Sequence, residues 1–326
     1  MTFWSGRRVC VTGGAGFVGS YVVEKLVESG ADVTVADSLA RGSRERLASV
    51  EGSYRFVEAD VTNADGADAA TLNQEIVLNL AAKVAGIEYN NTHNAEMFST
   101  NVRIATSMLD AAARNGVGRV LVVSSACVYP GDAIVPTPES EGRRGTPEPA
   151  NEGYGWAKRM AEELGRFHAR ERSMEIAICR PFNAYGPRDH WDERTSHVIP
   201  ALIKRVLDGE DPVLVWGSGN QTRAFLHAAD VAHGMLLVTE RGAIAKPINI
   251  GHDQDISISE LVFAILRLTG RSPEVIFDSS RPDGDPRRAA DPTLLRRVTN
   301  WVPAISLEEG LTVMIDEYER RSALAE

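Results

Sequence analysis

Through its first half the chain alternates short, almost wholly apolar runs with longer stretches whose apolar residues recur at helical spacing. Residues 8–12, 32–37, 54–61, 75–82, 120–123 and 175–179 have the length and the Val, Ile and Leu content of strands buried on both faces. Residues 20–29, 101–115 and a segment starting at Tyr154 read as helices between them. That order predicts a parallel sheet with helices on both faces. Beyond residue 181 the regularity fades. A helix is expected over 196–205 with His197 in its first turn, strands over 213–219 and 222–227, a helix over 230–240, and a strand over 247–251 returning to the sheet. The fold expected is therefore α/β, a Rossmann-type doubly wound parallel sheet with a smaller C-terminal α/β substrate lobe. Residues 1–180 make the sheet domain, with 222–251 returning to it, and 181–221 with 252–326 make the lobe. The Pro- and Gly-rich stretch 131–153 reads as a long surface loop of the kind that covers a site.

In such sheets ligands sit at the carboxyl ends of the strands, so the residues ending each strand carry the chemistry. Gly13, Gly16 and Gly19 follow the first strand and open a helix, which lets backbone N–H groups approach a pyrophosphate. Asp37 ends the second strand, where a carboxylate accepts both ribose hydroxyls of an adenosine and repels a 2′-phosphate. Arg41 and Arg44 follow it and keep NADP open, but Asp37 favours NAD. Asp60 ends the third strand, within reach of the adenine. After the strand at 120–123 comes Ser124-Ser125-Ala126-Cys127, which sets hydroxyls and a thiol at the mouth of the cleft. Tyr154 and Lys158 are one helical turn apart, so phenol and ammonium share a face. A cation there is expected to lower the phenol's pKa and make it a usable base.

Composition narrows the setting. The chain has 326 residues and a net charge of −10, which disfavours non-specific contact with nucleic acid or anionic membrane. An anionic substrate must then be met by locally placed Arg or Lys. Three cysteines form neither a disulfide framework nor a metal-ligand spacing, and Cys10 and Cys179 fall inside apolar runs as core residues. With no signal peptide or membrane-spanning apolar stretch in view, a soluble, cytoplasmic protein is expected.

The glycine-rich turn, Asp37, Ser125, Tyr154 with Lys158, Arg180-Pro181-x-Asn183-x-Tyr185-Gly186-Pro187 and Arg223 together resemble the extended short-chain dehydrogenase/reductase family that modifies nucleotide sugars. The resemblance covers nearly the whole chain. It implies that Ser125 and Tyr154 hold the sugar's C4 oxygen, that Tyr154 is the base, and that Lys158 organises the tyrosine and the cofactor ribose. Further cofactor contacts it implies are Phe17 and Val18 beside the glycines, Val61 beside Asp60, Ala81, Ala82 and Lys83 after the fourth strand, Asn101, and Pro181. Homodimers built from helices near 96–114 and 155–171 are implied as well.

Within that family, Cys127 and Lys83-Val84-Ala85-Gly86 are similar to the GDP-mannose 3,5-epimerases and GDP-L-fucose synthases, and Ser196-His197-Val198-Ile199-Pro200 is similar to the synthases. The likeness makes Cys127 a base and His197 the acid on the opposite ring face, a pair with intrinsic pKa values within about two units of neutrality. Substrate contacts implied are Lys83, Gly86, Asn183, Val198, Lys204, Arg205, Trp216, Arg223, Arg281 and Arg287, with Arg288 an equal candidate for the last role. Asp37 tips the expectation toward an epimerase with tightly bound NAD, acting on a GDP-mannose-type substrate through a transient 4-keto sugar and inverting C3, C5 or both. The alternative is an NADPH-dependent 3,5-epimerase/4-reductase of a GDP-4-keto-6-deoxyhexose. A simple C4 epimerase, with Cys127 merely packing, and a catalytically silent nucleotide sensor are further alternatives.

Overall fold

The computed structural model describes residues 2–192, 196–280 and 285–325. In chain order, β1 (Arg8–Thr12), α1 (Phe17–Glu28), β2 (Asp32–Asp37), β3 (Tyr54–Glu58), α2 (Ala64–Thr71), β4 (Ile76–Asn79), α3 (Ile87–Thr92), α4 (Asn94–Arg114), β5 (Arg119–Val123), α5 (Glu152–Glu171) and β6 (Glu175–Pro181) build the first half. Then follow β7 (Ala184–Tyr185), α6 (Val198–Leu207), β8 (Val213–Trp216), β9 (Thr222–Arg223), β10 (Leu226–His227), α7 (Ala228–Arg241) and β11 (Pro247–Ile250). The chain ends with β12 (Ile256–Ser257), α8 (Ile258–Thr269), β13 (Val275–Asp278), β14 (Arg287–Arg288), α9 (Thr293–Thr299) and α10 (Leu307–Ala325).

Seven strands form one parallel sheet in the order β11-β6-β5-β4-β1-β2-β3. The chain leaves β1 toward β2 on one side and returns to β4 on the other, which opens a crevice at the carboxyl ends of β1 and β4. Alternation along β1 sends Val9 and Val11 into a core with α1 and α7, and Cys10 into a second core with α4 and α5. A third core, around Ile203, Val215, Leu261 and Met314, belongs to the C-terminal elements.

The helix after the glycine turn starts at Phe17, earlier than residue 20, because Gly16 already serves as its N-cap. Helix α4 starts at Asn94, before residue 101; among residues 94–100 only Met97 is fully buried, so periodicity gives no early signal. Strands β3 and β4 stop at Glu58 and Asn79, and the apolar residues after them leave the sheet as the loops that border the crevice. Of residues 222–251, β11 joins the main sheet beside β6 and α7 packs in the sheet's core, whereas β9 pairs with β12 and β14 outside it. Among the described residues no helix is long and apolar enough to cross a membrane.

Candidate active site

The first wall of the crevice is the turn between β1 and α1. Gly13 has φ +67°, and a Cβ there would lie 3.0 Å from the Ala81 nitrogen. A Cβ on Gly19 would lie 2.1 Å from the Gly13 oxygen, so the turn closes this tightly only with glycine. The helix behind it has no side-chain cap and no acid in its first turn, leaving the N–H groups around Phe17 and Val18 for an anion. This cradle fits the pyrophosphate of a dinucleotide. Asp37 lies beside it, buried, accepting from the Ala15 N–H (3.0 Å) and the Leu39 N–H (2.8 Å). Each carboxylate oxygen keeps a second lone pair for a ribose hydroxyl. Arg41 is engaged with the Val84 carbonyl, and the Arg44 guanidinium stacks 4.0 Å from the Phe56 ring centroid.

Further along the crevice, exposed Asp60 accepts from the Thr62 N–H, and Val61 beside it is buried. Asn101 clasps the backbone of Lys83, accepting from its N–H (3.1 Å) and donating to its carbonyl (3.0 Å). The Ala81 N–H donates to the Thr12 hydroxyl, so the Ala81–Ala82 stretch is tied to β1. Lys83 pairs with Glu96, whose other oxygen accepts from Tyr89, and Gly86 caps α3.

At the end of β5, Ser125 caps a short turn of 3₁₀ helix, its hydroxyl accepting from the Cys127 N–H at 3.1 Å. Tyr154 reaches the same hydroxyl from the first turn of α5. Lys158, one turn on, donates to the Val123 carbonyl (2.8 Å), with its ammonium 5.4 Å from the Tyr154 ring centroid. Burial lowers the Lys158 pKa to about 8. The expectation that Lys158 lowers the phenol's pKa does not hold in this arrangement. Burial raises Tyr154, a Cys127 anion would raise it further, and the bond to Ser125 offsets only part. These surroundings favour the neutral phenol over the phenolate.

Cys127 is half-buried. Burial raises its thiol, Arg288 and the Ser125 bond pull it down, and Glu148 and Asp285 push it up. Arg288 is held by Glu148 and Asp285, its Nε donating to Asp285 at 3.0 Å. Behind the loop, Ser124 donates to Glu162 (2.6 Å), and Glu162 takes a bidentate pair from Arg180 (2.7 and 2.8 Å). Cys10 and Cys179 lie in the core, both fully buried.

His197 is the N-cap of α6 and so sits just before its first turn. Its side chain is 55% exposed, and Nδ1 lies 2.9 Å from Oδ2 of Asp189, whose own side chain has no exposure. Partial desolvation of this half-exposed imidazole opposes its cation, yet the Asp189 bond and charge raise its pKa overall. Val198 follows as the first residue of α6. No direct bond joins Cys127 to His197 among the described residues; each stands in its own charged surroundings.

The other sequence-derived positions ring the C-terminal lobe. Asn183 donates to the Ala224 carbonyl, and Pro181 ends β6 opposite Ile250. Lys204 pairs with Asp208, Arg205 with the Leu214 carbonyl, and Arg223 with the Asp285 carbonyl (2.7 Å). Arg287 makes a bidentate pair with Asp255 (2.9 Å each), and Trp216 is half-exposed on β8. Arg281 lies outside the described residues. Sequence reading missed Asp189, Glu148 and Glu162. Only proximity in sequence to Gly186-Pro187 and Tyr154 could have drawn attention to them, since carboxylates on loops and helices are ordinarily solvated. No group of side chains suited to a metal ion is present among the described residues.

A model of the NAD dependent epimerase/dehydratase family matches residues 9–251. The chain is 35% identical over 320 residues to the GDP-L-fucose synthase of Escherichia coli K12, covering 94% of this chain and 95% of the relative. It is 33% identical over 315 residues to GDP-L-fucose synthase 1 of Arabidopsis thaliana, covering 95% and 93%. Among solved structures, the UDP-glucose 4-epimerase of Thermotoga maritima with UDP-glucose superposes with TM-score 0.87 at 29% identity, covering 97% of this chain and 99% of that one. A nicotinamide-dinucleotide cradle, the Ser125–Tyr154–Lys158 cluster and these full-length likenesses agree: the chain belongs to the NAD dependent epimerase/dehydratase family and is an enzyme acting on nucleotide sugars.

Proposed function

We propose that the enzyme is a 3,5-epimerase/4-reductase of a GDP-linked 4-keto-6-deoxyhexose, and that it takes NADH. The observation that carries this reading is the likeness along the whole chain to GDP-L-fucose synthases, supported by a Cys127 loop beside Ser125 and a histidine, His197, at the head of α6. This reverses the balance struck on Asp37 alone, which favoured a GDP-mannose-type epimerase. The protonated state of Tyr154 also suits reduction, where the C4 oxygen must receive a proton.

The 4-ketone of the substrate acidifies the hydrogens on C3 and C5. The Cys127 thiolate takes one of them, the electron pair moves onto the C4 oxygen, and Ser125 and Tyr154 hold that oxygen. His197 gives its proton to the carbon from the opposite ring face, so the centre inverts with no net change in protonation of substrate. Arg288 is the cation beside the thiolate. Tyr154 would then protonate the C4 oxygen, with Lys158 steadying the phenol and the ribose of a reduced nicotinamide dinucleotide, whose chemistry when bound would be hydride donation. Glycines 13, 16 and 19 hold the pyrophosphate, and Asp37 accepts the ribose hydroxyls. The buried Asp37 carboxylate disfavours a 2′-phosphate on that ribose, which supports NADH, although the Arg41, Arg44 and Arg46 guanidiniums of the following loop keep their charge. Residues 181–221 and 252–326, together with β9, form the nucleotide-binding lobe, with Arg223, Arg287 and Trp216 toward the nucleotide. Two copies pair through α4 and α5.

The test is to supply GDP-4-keto-6-deoxymannose with NADH or NADPH in D₂O. Stoichiometric loss of reduced-nicotinamide absorbance, faster with NADH, together with deuterium at C3 and C5 is expected. Deuterium entry or epimerisation of GDP-mannose with retained, unconsumed NAD would favour the epimerase instead, the reading Asp37 supports.

A further inference from the structure

Proton donation by His197 requires two things that an isolated histidine does not provide. Its cation must survive at working pH, and Nε2, not Nδ1, must face the ring. Both depend on what holds Nδ1. The residue doing so lies on the loop after Gly186, on the other side of the segment leading to α6. Asp189 is wholly buried, and its two oxygens are divided between two partners: Oδ1 accepts from the His190 backbone N–H (2.7 Å) and Oδ2 faces His197 Nδ1 (2.9 Å). The backbone bond fixes the carboxylate's rotation, which leaves Oδ2 aimed at the imidazole. His197 meanwhile has more than half of its side-chain surface open.

We infer that Asp189 is a positioning residue, which locks His197 with its Nδ1 proton toward the carboxylate and Nε2 toward the sugar. This rests on the acid role of His197 proposed above. A buried carboxylate with one backbone donor gains most from a cationic partner, so Asp189 favours the imidazolium over the neutral ring. Other charged groups act in both directions. Arg41, from the loop after β2, and His190 oppose the cation on His197. Arg46 competes for the field of Asp189, whereas the Tyr21 phenol from α1 is kept from ionising in part by that same negative charge. Arg188, next in sequence to Asp189, is turned to Glu24 and Ser20. Among these groups the aspartate alone is in hydrogen-bond contact with the ring. When Nε2–H breaks and the C–H bond forms, the proton on Nδ1 stays with His197, and the ring is reprotonated at Nε2 from solvent.

The tautomer is visible by ¹⁵N-histidine NMR of the full-length protein without any substrate, with His197→Gln identifying the signal. At a pH above its titration the His197 ring should carry its proton on Nδ1. An Nε2-protonated neutral ring would overturn the inference, and this measurement needs no Asp189 variant to fold. In Asp189→Asn the single amide oxygen can accept from only one of the His190 N–H and His197 Nδ1, and the charge is lost. The His197 midpoint should fall by about one pH unit or more, and the alkaline limb of solvent-deuterium entry at C3 and C5 should move down with it, with KM little changed. An unmoved midpoint and limb would refute the role of Asp189. Full inversion at C3 and C5 in His197→Gln would refute the acid reading itself, and the positioning role with it, even if the tautomer is as stated.

Discussion

A thiol is a weak base until something favours its anion, and around Cys127 that something is the Arg288 guanidinium. Arg288 does not act alone, because Glu148 and Asp285 hold it and oppose the thiolate with their own charge. Removing one of these carboxylates while keeping its shape should release the thiol. In Glu148→Gln, alkylation of Cys127 by iodoacetamide at neutral pH should quicken several-fold, since one unit of pKa is about tenfold in thiolate. Cys10 and Cys179 are fully buried and will not mask the signal. An unchanged or slower rate would show that Glu148 does not reach the thiol's electrostatics. Lys158 presents the opposite case, a cation whose burial costs stability. Its pKa is lowered from 10.5 to about 8 in the folded chain, so between those values the unfolded state binds more protons and stability rises with pH. Below about pH 8 the cost is fully present, on the order of 3 kcal/mol, and it is relieved as pH climbs toward the unfolded value. Lys158→Met removes the charge and loses the bond to the Val123 carbonyl, worth about 1 kcal/mol. The cofactor-free variant should therefore gain roughly 2 kcal/mol at pH 7 in denaturant unfolding, while catalysis falls by orders of magnitude. A less stable variant would mean that the ammonium is better solvated than its surroundings indicate.

Among the elements, α5 and β6 are bound to the active loop through one buried ion pair. Glu162 on α5 takes two hydrogen bonds from Arg180 on β6 and one from Ser124 at the head of the loop, and Arg180 also reaches the Tyr129 hydroxyl at 3.0 Å. Arg180 is 1% exposed, so Glu162→Gln strands a full charge. A loss of about 3–5 kcal/mol is expected in equilibrium unfolding; a loss under about 1 kcal/mol would mean the pair is dispensable. None of this could be read from the pattern of apolar positions. That pattern located β1, β2, β5, β6 and β11, since strands buried on both faces are short runs of Val, Ile and Leu and need no partner to be recognised. It placed the start of α4 too late, because early turns of a helix that bury only Met97 look polar. The chemistry was legible where a residue type is rare at a strand end, as with Asp37, Ser125 and Cys127. It was illegible where ordinary carboxylates, Asp189, Glu148 and Glu162, acquire their roles only by being folded away from water beside a cation or an imidazole.

At the scale of the whole molecule, the net charge of −10 makes local cations important, and Arg41, Arg46, Arg223, Arg287 and Arg288 come from separate elements. Most are already balanced by a carboxylate or a carbonyl, so an anionic substrate must exchange for partners instead of meeting bare charge. The outer side of α4 and α5 is different in kind. Phe98 is 38% exposed, Met160 49% and Phe167 44%, and with Ala95 and Trp156 the first two line an apolar hollow between the helices. Scattered apolar surface is ordinary, but a contiguous apolar strip on two packed helices marks an interaction face. The matching strip on a second copy is its natural complement, because a two-fold axis brings identical patches together. The strip begins at the first turns of α4 and α5, and Gly153 in one of those turns donates its N–H to Asn94 in the other (2.7 Å). Tyr154 follows in the same turn of α5, so the pairing of two copies would brace the helix that carries the Tyr154 phenol. Met160→Glu places a charge in the centre of the strip without touching the crevice. Light scattering should show a dimer in the parent protein and a monomer in the variant, with melting temperature lowered and made independent of protein concentration. A parent protein that is monomeric at micromolar concentration, or a variant that stays dimeric, would assign the strip to some other role.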